Sequence, residues 1–290
     1  MRKPLLILAL CAASLAPAGA TPFEDNLKAA EQGNAEAQHL IGNAYFTGDG
    51  VGKDAAAAAA WYRKAADQGH AAAQANLGYA YFYGDGVAQD YAAAVEWNRK
   101  AADRGNVSAL FFLGMVHDAG KGVPQDYAEA AKWYRRAADK GNAQAQFNLG
   151  YAYSMGYGLP KDQAEAVRWY RKAADQGHAI SQFQMGIAYQ SGKGVAQDYA
   201  ESAKWYRKLA DKGYAHAQNR LAIAYLLGEG VPKDNVQAHL WFNLAASAFK
   251  PSEKADRDKA VAGRDLLAKR MTPAQITEAL KLAKEWKPVP

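Results

Sequence analysis

Residues 71–105 read AAAQANLGYAYFYGDGVAQDYAAAVEWNRKAADRG. Copies of this pattern recur along the chain at a constant interval, which is most visible in the tryptophans. Self-similarity at a fixed period of 20–50 residues is typical of architectures built from stacked identical units. The interval therefore constrains the fold and predicts that the protein acts by binding. Six of the seven tryptophans lie 36 residues apart: Trp61, Trp97, Trp133, Trp169, Trp205 and Trp241.

Each copy predicts two helices. In the first half, apolar residues recur at helical spacing, as in Leu77 and Ala80, up to Gly84, and a glycine can adopt the left-handed conformation that ends a helix. The second half begins after an aspartate, which can accept hydrogen bonds from free amides at a helix start. In three copies a glutamate three residues later predicts a capping box, so we interpret these carboxylates as caps and not as paired catalytic acids. The aspartates are Asp54, Asp90, Asp126, Asp162, Asp198 and Asp234, and the glutamates are Glu129, Glu165 and Glu201.

Basic residue pairs lie near the end of five second helices, and an aspartate follows each pair. Residues four apart are neighbours on a helix, and cations are favourable near helix C-termini, so we predict (i, i+4) ion pairs on a solvated face. A nucleic-acid-binding stripe is the alternative. The formal net charge is only +6, or +4 (33 basic minus 29 acidic residues) without Arg2 and Lys3, so we expect no nucleic-acid partner. The predicted pairs are Arg63–Asp67, Arg99–Asp103, Arg135–Asp139, Arg171–Asp175 and Arg207–Asp211.

The first twenty residues have the pattern of a secretory signal peptide. Two basic residues precede an apolar stretch at 5–16, which is too short to cross ~30 Å of hydrocarbon, and the small residues at 18–20 predict cleavage after Ala20. An uncleaved anchor is one alternative. Lipid attachment at Cys11 is another, although Leu10 is not the small residue that such signals require before the cysteine. We expect a periplasmic or secreted protein without stable membrane insertion after cleavage.

The segments that flank the repeats predict capping helices, because the end units of a repeat array must cover their apolar faces. In the last segment, Thr272 followed by Pro273 is a typical helix start. The predicted organisation is a signal peptide at 1–20, an N-terminal capping helix at 21–32, six repeats at 33–68, 69–104, 105–140, 141–176, 177–212 and 213–248, and C-terminal capping helices at 249–290.

The motif L-G-x-A-Y-x-x-G-x-G-V, then an aspartate, then W-Y-R-K-A-A-D-x-G, resembles the Sel-1-like repeat, a relative of the tetratricopeptide repeat. The resemblance covers residues 33 to about 248. It implies an all-α fold, a right-handed α-solenoid superhelix of six 36-residue helix-turn-helix repeats, and a role as an adaptor or scaffold in protein complexes. Exported bacterial members often act in the cell envelope. Disulfide-rich relatives have been linked to cell-wall chemistry, but this chain lacks their cysteine pairs.

The resemblance also suggests where a partner binds. In the tetratricopeptide geometry the first helix of each repeat lines the concave surface, and its outward positions here are mostly apolar, which is typical of interaction sites. The alternative is that some of these side chains fill the seam between repeats. Asp118 is included because it stands beside His117, where the other repeats have tyrosine; neighbouring helical residues point apart, so the two are not a catalytic pair. The predicted partner-binding residues are Tyr79, Phe82, Tyr83, Phe111, Met115, Asp118, Phe147, Tyr151, Met155, Phe183 and Ile187.

We therefore predict a protein-protein interaction scaffold of the cell envelope that binds a protein or an extended peptide along an aromatic groove. A glycan or peptidoglycan-fragment binding module is the alternative, since aromatic grooves also stack sugars. An envelope hydrolase is a third interpretation without motif support, because no G-x-x-x-x-G-K-[ST], H-E-x-x-H or G-x-S-x-G occurs. No catalytic, cofactor-binding or metal-binding residue is predicted.

Overall fold

The computed structural model describes residues 22–289, and the predicted signal peptide and its cleavage site lie outside these residues. Residues 22–289 form fifteen α-helices and one short 3-10 helix, Pro251–Glu253, without a β-strand. The α-helices are α1 (Pro22–Glu31), α2 (Ala35–Thr47), α3 (Ala55–Asp67), α4 (Ala71–Tyr83), α5 (Tyr91–Asp103), α6 (Val107–Ala119), α7 (Tyr127–Asp139), α8 (Ala143–Met155), α9 (Gln163–Asp175), α10 (Ala179–Ser191), α11 (Tyr199–Ala210), α12 (Ala215–Leu227), α13 (Asn235–Ala248), α14 (Lys254–Ala268) and α15 (Pro273–Glu285).

The chain divides into two compact units, the first ending at Ala101 and the second beginning at Ala102. The first unit contains α1 to α4 and most of α5, and the second contains α6 to α15. In the first unit α1 to α4 pack in chain order; in the second unit α6 to α13 do so, and α14 and α15 both pack against α13. Packing between sequence neighbours is the pattern of an all-α solenoid, as predicted.

Helix boundaries show most of the predicted cap chemistry. Oδ1 of Asp162 accepts a hydrogen bond from the backbone N–H of Glu165 at 2.9 Å, and the other five aspartates cap their helices in the same way. The glycine after each first helix is left-handed, with φ between 65° and 85°. The glutamates do not complete capping boxes, because a basic residue three positions later attracts each carboxylate: Glu165 pairs with Arg168 at 3.0 Å, and Glu129 and Glu201 pair with lysines.

Five of the six helix pairs close over a buried apolar residue and a glycine, and the sixth has Ala222 in place of the glycine. In the fourth repeat Leu149 is fully buried, and next to it Gly150 faces the ring of Tyr170. A Cβ atom on Gly150 would lie 2.8 Å from Cδ1 of Tyr170 and 3.0 Å from the carbonyl oxygen of Ala166. Glycine therefore leaves room for the tyrosine of the second helix. This close packing explains why the helix contains a residue type that destabilises helices by ~1 kcal/mol relative to alanine.

The loop between the two helices of a repeat contacts the preceding repeat. Gly158 has φ +66°, and a Cβ atom there would lie 2.2 Å from the carbonyl oxygen of Tyr127 at the start of α7. Gly194 and Gly230 approach Gln163 and Tyr199 in the same manner. Because no side chain fits in these gaps, the second glycine of these loops allows neighbouring repeats to approach closely.

In the part of the chain that the structure describes, most of the predicted ion pairs between the arginines and the aspartates four residues later do not form. Of the five predicted Arg–Asp pairs only Arg207–Asp211 forms among residues 22–289, at 3.8 Å. Arg171 instead donates a hydrogen bond to the hydroxyl of Tyr189 in the next repeat, and its guanidinium lies 5.7 Å from the ring centre of Trp205. Arg63, Arg135 and Arg207 make the equivalent contacts. The arginines thus join successive repeats, and the predicted intrahelical ion pairs are wrong except for one.

The flanking helices cover apolar surface at each end of the repeats. Phe23 and Leu27 of α1 pack against Ile41 of α2. Residues of α14 and α15, among them Leu267 and Ala279, pack against α13. At the predicted helix start, Thr272 caps α15 and forms a capping box with Gln275. No helix between residues 22 and 289 has the length and apolar character needed to cross a bilayer.

Candidate partner-binding surface

The predicted surface residues of the first unit are largely covered. Phe82 on α4 is only 9% exposed, and its ring packs against Tyr83 at 5.0 Å and Tyr91 at 5.1 Å. Tyr79 is half-buried, and desolvation raises the pKa of its hydroxyl. Phe82 therefore does not line an open groove, because its position on α4 turns it towards Tyr91 at the start of the second helix.

In the second unit the predicted phenylalanines share one arrangement, in which each lies against the tyrosine of its own repeat. The ring centres are 5.8 Å apart for Phe111 and Tyr134, and 5.5 Å apart for Phe183 and Tyr206. Phe147 packs on Tyr170 in the same way, at 5.8 Å. These phenylalanines are half-buried, as are Met115 and Ile187, so each presents only part of its surface to solvent.

Asp118 follows this row of phenylalanines at the end of α6 and is exposed. Its Oδ2 accepts a hydrogen bond from the hydroxyl of Tyr134 at 3.4 Å, while partial burial raises the pKa of the carboxyl. Asp118 thus adds an acidic group beside the second helix of its own repeat.

The most exposed predicted residues lie on α8. Tyr151 is 42% exposed and Met155 is 48% exposed. Two further tyrosines, which the sequence analysis did not identify, join them: Tyr157 is 41% exposed and Tyr127 is 39% exposed. The rings of Tyr127 and Tyr157 stack at 5.2 Å with an interplanar angle of 20°, and Tyr151 meets Tyr157 edge-on at 5.9 Å. We call Tyr127, Tyr151, Met155 and Tyr157 the tyrosine cluster.

A signal for the missed residue Tyr157 was present in the sequence. It occupies the middle of the G-x-G loop, where the other repeats have Asp49, Asp85, Lys121, Lys193 and Glu229. The other repeats have a charged residue at this position, so an aromatic residue departs from the repeat pattern. The repeat fold itself does not require an aromatic side chain here.

A pocket of about 280 Å³ adjoins the tyrosine cluster, between α8, α9 and α10. Met155, Val167 and Ile187 contribute to its apolar wall, while Lys161 and Lys193 belong to the loops that follow α8 and α10. The remaining lining residues are Ser154, Tyr170, Gln163, Gln184, Ala188 and Ser191, so no carboxylate borders the pocket.

One group of potential metal ligands occurs among residues 22–289: the ligand atoms of Glu36, His39 and His70 lie within 4.8 Å of one another. Nδ1 of His70 accepts the backbone N–H of Ala73 at 3.2 Å, and its Nε2 lies 2.8 Å from Oε2 of Glu36. Both ring nitrogens of His70 are therefore engaged, and the residue acts as the N-cap of α4. A cation bound to Nε2 would require Nδ1 to be protonated, which would break the cap.

The same cap recurs without a carboxylate in the fifth repeat. Nδ1 of His178 accepts the backbone N–H of Ser181 at 3.3 Å, and its Nε2 lies 3.2 Å from Oε1 of Gln144. The arrangement of His70 is therefore explained by helix capping. In the first unit, burial and the neighbouring His70 lower the pKa of His39 to about 4.

Comparisons with known proteins agree with this architecture. A family model of the Sel1 repeat matches residues 35–70, 71–106, 107–142, 143–178, 179–214 and 215–248. Among solved structures, a protective antigen of uropathogenic Escherichia coli strains, which displays an SLR fold, has 36% identity and a TM-score of 0.81; the match covers 92% of this chain and 56% of that chain. A Sel1 repeat protein from Oxalobacter formigenes has 37% identity and a TM-score of 0.63, with coverage of 74% and 86%. This chain thus spans little more than half the length of the antigen. No curated protein matched.

Proposed function

Because this chain belongs to the Sel1 repeat family, we propose that it is a scaffold that binds a protein or an extended peptide through the first helices of its second unit. Repeats of this family commonly mediate protein-protein interactions. The proposed contact surface consists of the tyrosine cluster and the exposed parts of Phe111, Met115, Phe147, Phe183 and Ile187.

The observation that carries this proposal is the exposure of the tyrosine cluster. Four large side chains, each about two-fifths exposed or more, come from α8, from the loop that follows it and from the start of α7, and the three tyrosine rings among them are in contact. Contiguous exposed apolar surface on a folded protein marks interaction sites, and aromatic residues bury large areas at a small cost in conformational entropy. The tyrosine hydroxyls add hydrogen-bonding groups at the edge of the same surface.

We place the scaffold in the cell envelope or outside the cell. The sequence pattern of residues 1–20 supports export, as does the similarity to a protein described as a protective antigen. Binding, and not catalysis, is the proposed activity.

The test is a crosslinking pull-down from an envelope extract with two matched variants. Tyr151→Ala with Met155→Ala removes the most exposed part of the tyrosine cluster. Leu266→Ala with Leu280→Ala removes similarly exposed apolar side chains from α14 and α15 and serves as the control. We expect specific proteins to be captured by wild type and by the control but not by the Tyr151/Met155 variant. Equal capture by all three proteins would refute the proposed surface.

A glycan-binding module is the second candidate, and the stacked rings of Tyr127 and Tyr157 favour it. Parallel tyrosine faces can hold the apolar face of a sugar ring. Screening the same three proteins on a glycan array separates the two candidates. Sugar binding that disappears in the Tyr151/Met155 variant, together with unchanged protein capture, would favour the glycan module.

A further inference from the structure

The two lysines of the pocket distinguish it from the equivalent places along the chain. Two repeat positions define each such place. One is the fifth residue after the first glycine of a repeat's G-x-G loop, and the other is the middle residue of the G-x-G loop in the next repeat. Only Lys161 and Lys193 make both members basic. The equivalent combinations are Lys53 with Asp85, Gln89 with Lys121, Gln125 with Tyr157, and Gln197 with Glu229.

No carboxylate among residues 22–289 lines this pocket to balance its charge. Neither Lys161 nor Lys193 forms an ion pair with a carboxylate of residues 22–289, and all pocket-lining residues other than these lysines are uncharged. Two cations of like charge at one pocket favour an anionic ligand, because complementary charge increases both the specificity and the rate of association.

The size and walls of the pocket limit the ligand further. A volume of about 280 Å³ is at the lower end of ligand pockets, so it suits one or two side chains better than a whole cofactor. Met155 belongs to both the pocket and the tyrosine cluster, which makes the two surfaces continuous. A ligand that fills both must carry a negative charge beside apolar groups.

We propose that the pocket binds an acidic side chain of an extended peptide while a neighbouring apolar residue of the same peptide packs on the tyrosine cluster. This inference rests on the proposed function, because it names the chemistry of the segment that the scaffold recognises. The ligand carboxylate is a glutamate or an aspartate within the peptide, and Lys161 and Lys193, the two cationic residues that line the pocket, supply the opposite charge. An acidic partner segment of this kind is the single occupant to which the charge of the site points.

The experiment is a selection from a random-peptide library displayed on phage, in which every peptide is internal and has no free carboxyl terminus. The baits are wild type, Lys161→Glu with Lys193→Glu, and the Tyr151/Met155 variant. Lys121→Glu with Lys233→Glu is the matched control, since these lysines occupy the same two repeat positions away from the pocket. Enriched peptides are then synthesised with and without an amidated terminus, and their affinities are measured at low and high salt.

We expect wild type and the control to enrich peptides with an acidic residue at a fixed distance from an aromatic or aliphatic one. The Lys161/Lys193 variant should bind these peptides about tenfold more weakly, which corresponds to about 1.4 kcal/mol. Replacing the acidic residue of the peptide with its amide should weaken binding to wild type by a similar factor and reduce the salt dependence. Amidation of the terminus should change nothing.

Three results would overturn the inference, and only the third of them would also refute the proposed function. Enriched peptides without acidic residues that bind the Lys161/Lys193 variant normally but not the Tyr151/Met155 variant would refute the pocket and leave the scaffold intact. Binding that depends on a free terminal carboxylate would refute an internal acidic side chain. No enriched peptide, together with binding of anionic sugars on a glycan array, would refute both the peptide ligand and the proposed function.

Discussion

Replacement of Arg171 by methionine tests the contact that joins the fourth and fifth repeats, both of which lie in the second compact unit. The guanidinium donates a hydrogen bond to Tyr189 and lies 5.6 Å from the ring centre of Tyr189 and 5.7 Å from that of Trp205. Methionine keeps the apolar stem that packs along these rings, so the substitution isolates the charged group.

The magnitude follows from the three interactions that are lost. A hydrogen bond from a charged donor contributes about 1.5–3 kcal/mol, and each cation–π contact at a partly exposed site contributes about 0.5–1 kcal/mol. Tyr189 is half-buried, so water recovers part of the hydrogen bond after the substitution. We therefore expect the free energy of unfolding to fall by about 2 kcal/mol. Urea denaturation followed by circular dichroism should show a lower midpoint with an unchanged slope.

Asp175→Asn is the control that distinguishes between two interactions proposed for Arg171. If Arg171 paired with Asp175 on its own helix, as the spacing predicts, both substitutions would reduce stability by the same small amount, typically about 0.3–0.5 kcal/mol. In the structure no such ion pair forms, so Asp175→Asn should leave the midpoint almost unchanged. Equal effects of the two substitutions would refute the contact between repeats. Hydrogen exchange of the amides in α9 to α11 gives a local measure if unfolding is not two-state.

Three further predictions concern the caps, the tryptophans and pH. Asp162→Ala should reduce stability by about 1 kcal/mol because it removes an N-cap, whereas Glu129→Gln should have little effect, since Glu129 pairs with Lys132 and completes no capping box; both are checked by thermal unfolding. Trp169→Ala should lower the free energy of unfolding by about 3–5 kcal/mol, because this side chain is only 3% exposed. Replacing the half-buried Trp61 by alanine should lower it clearly less in the same denaturation assay. The folded-state pKa of His39 is about 4 and the unfolded value is 6.5, so the unfolded chain binds more protons between these values and stability should fall as pH decreases from 6.5 to 4. His39→Phe, which introduces the residue found at this position in three other repeats, should reduce that loss in urea midpoints measured across the window, and an unaltered pH dependence would contradict it.

The fold was predictable from the sequence because every structural role recurs at the same interval. Leu149 and Gly150 have equivalents in the other repeats, and the capping aspartates and loop glycines mark the helix ends wherever they occur. These features depend on local geometry, which one helix or one turn determines by itself. Six copies of the same local signal then predict stacking without any knowledge of long-range contacts.

Side-chain partners could not be predicted in the same way, because they depend on the neighbouring repeat. The spacing of Arg171 and Asp175 is visible within one helix, but the approach of Tyr189 and Trp205 is not. Phe82 and Phe147 both lie on first helices at outward positions by spacing, yet only the structure shows that Phe82 is covered by Tyr91. Outward position on a helix is thus a weak guide to exposure when a loop or a second helix lies beside it.

Positions that vary among the repeats carry the information about binding. The middle residue of the G-x-G loop is aspartate, lysine, tyrosine or glutamate in different repeats, although the flanking glycines have the same left-handed conformation throughout. The fold therefore requires the glycines but does not determine the residue between them. At this position Tyr157 completes the tyrosine cluster, and Lys193 contributes one of the two charges of the pocket. Two unconstrained positions in successive repeats thus place an aromatic surface beside a cationic pocket, and this combination is what a peptide with adjacent apolar and acidic residues requires.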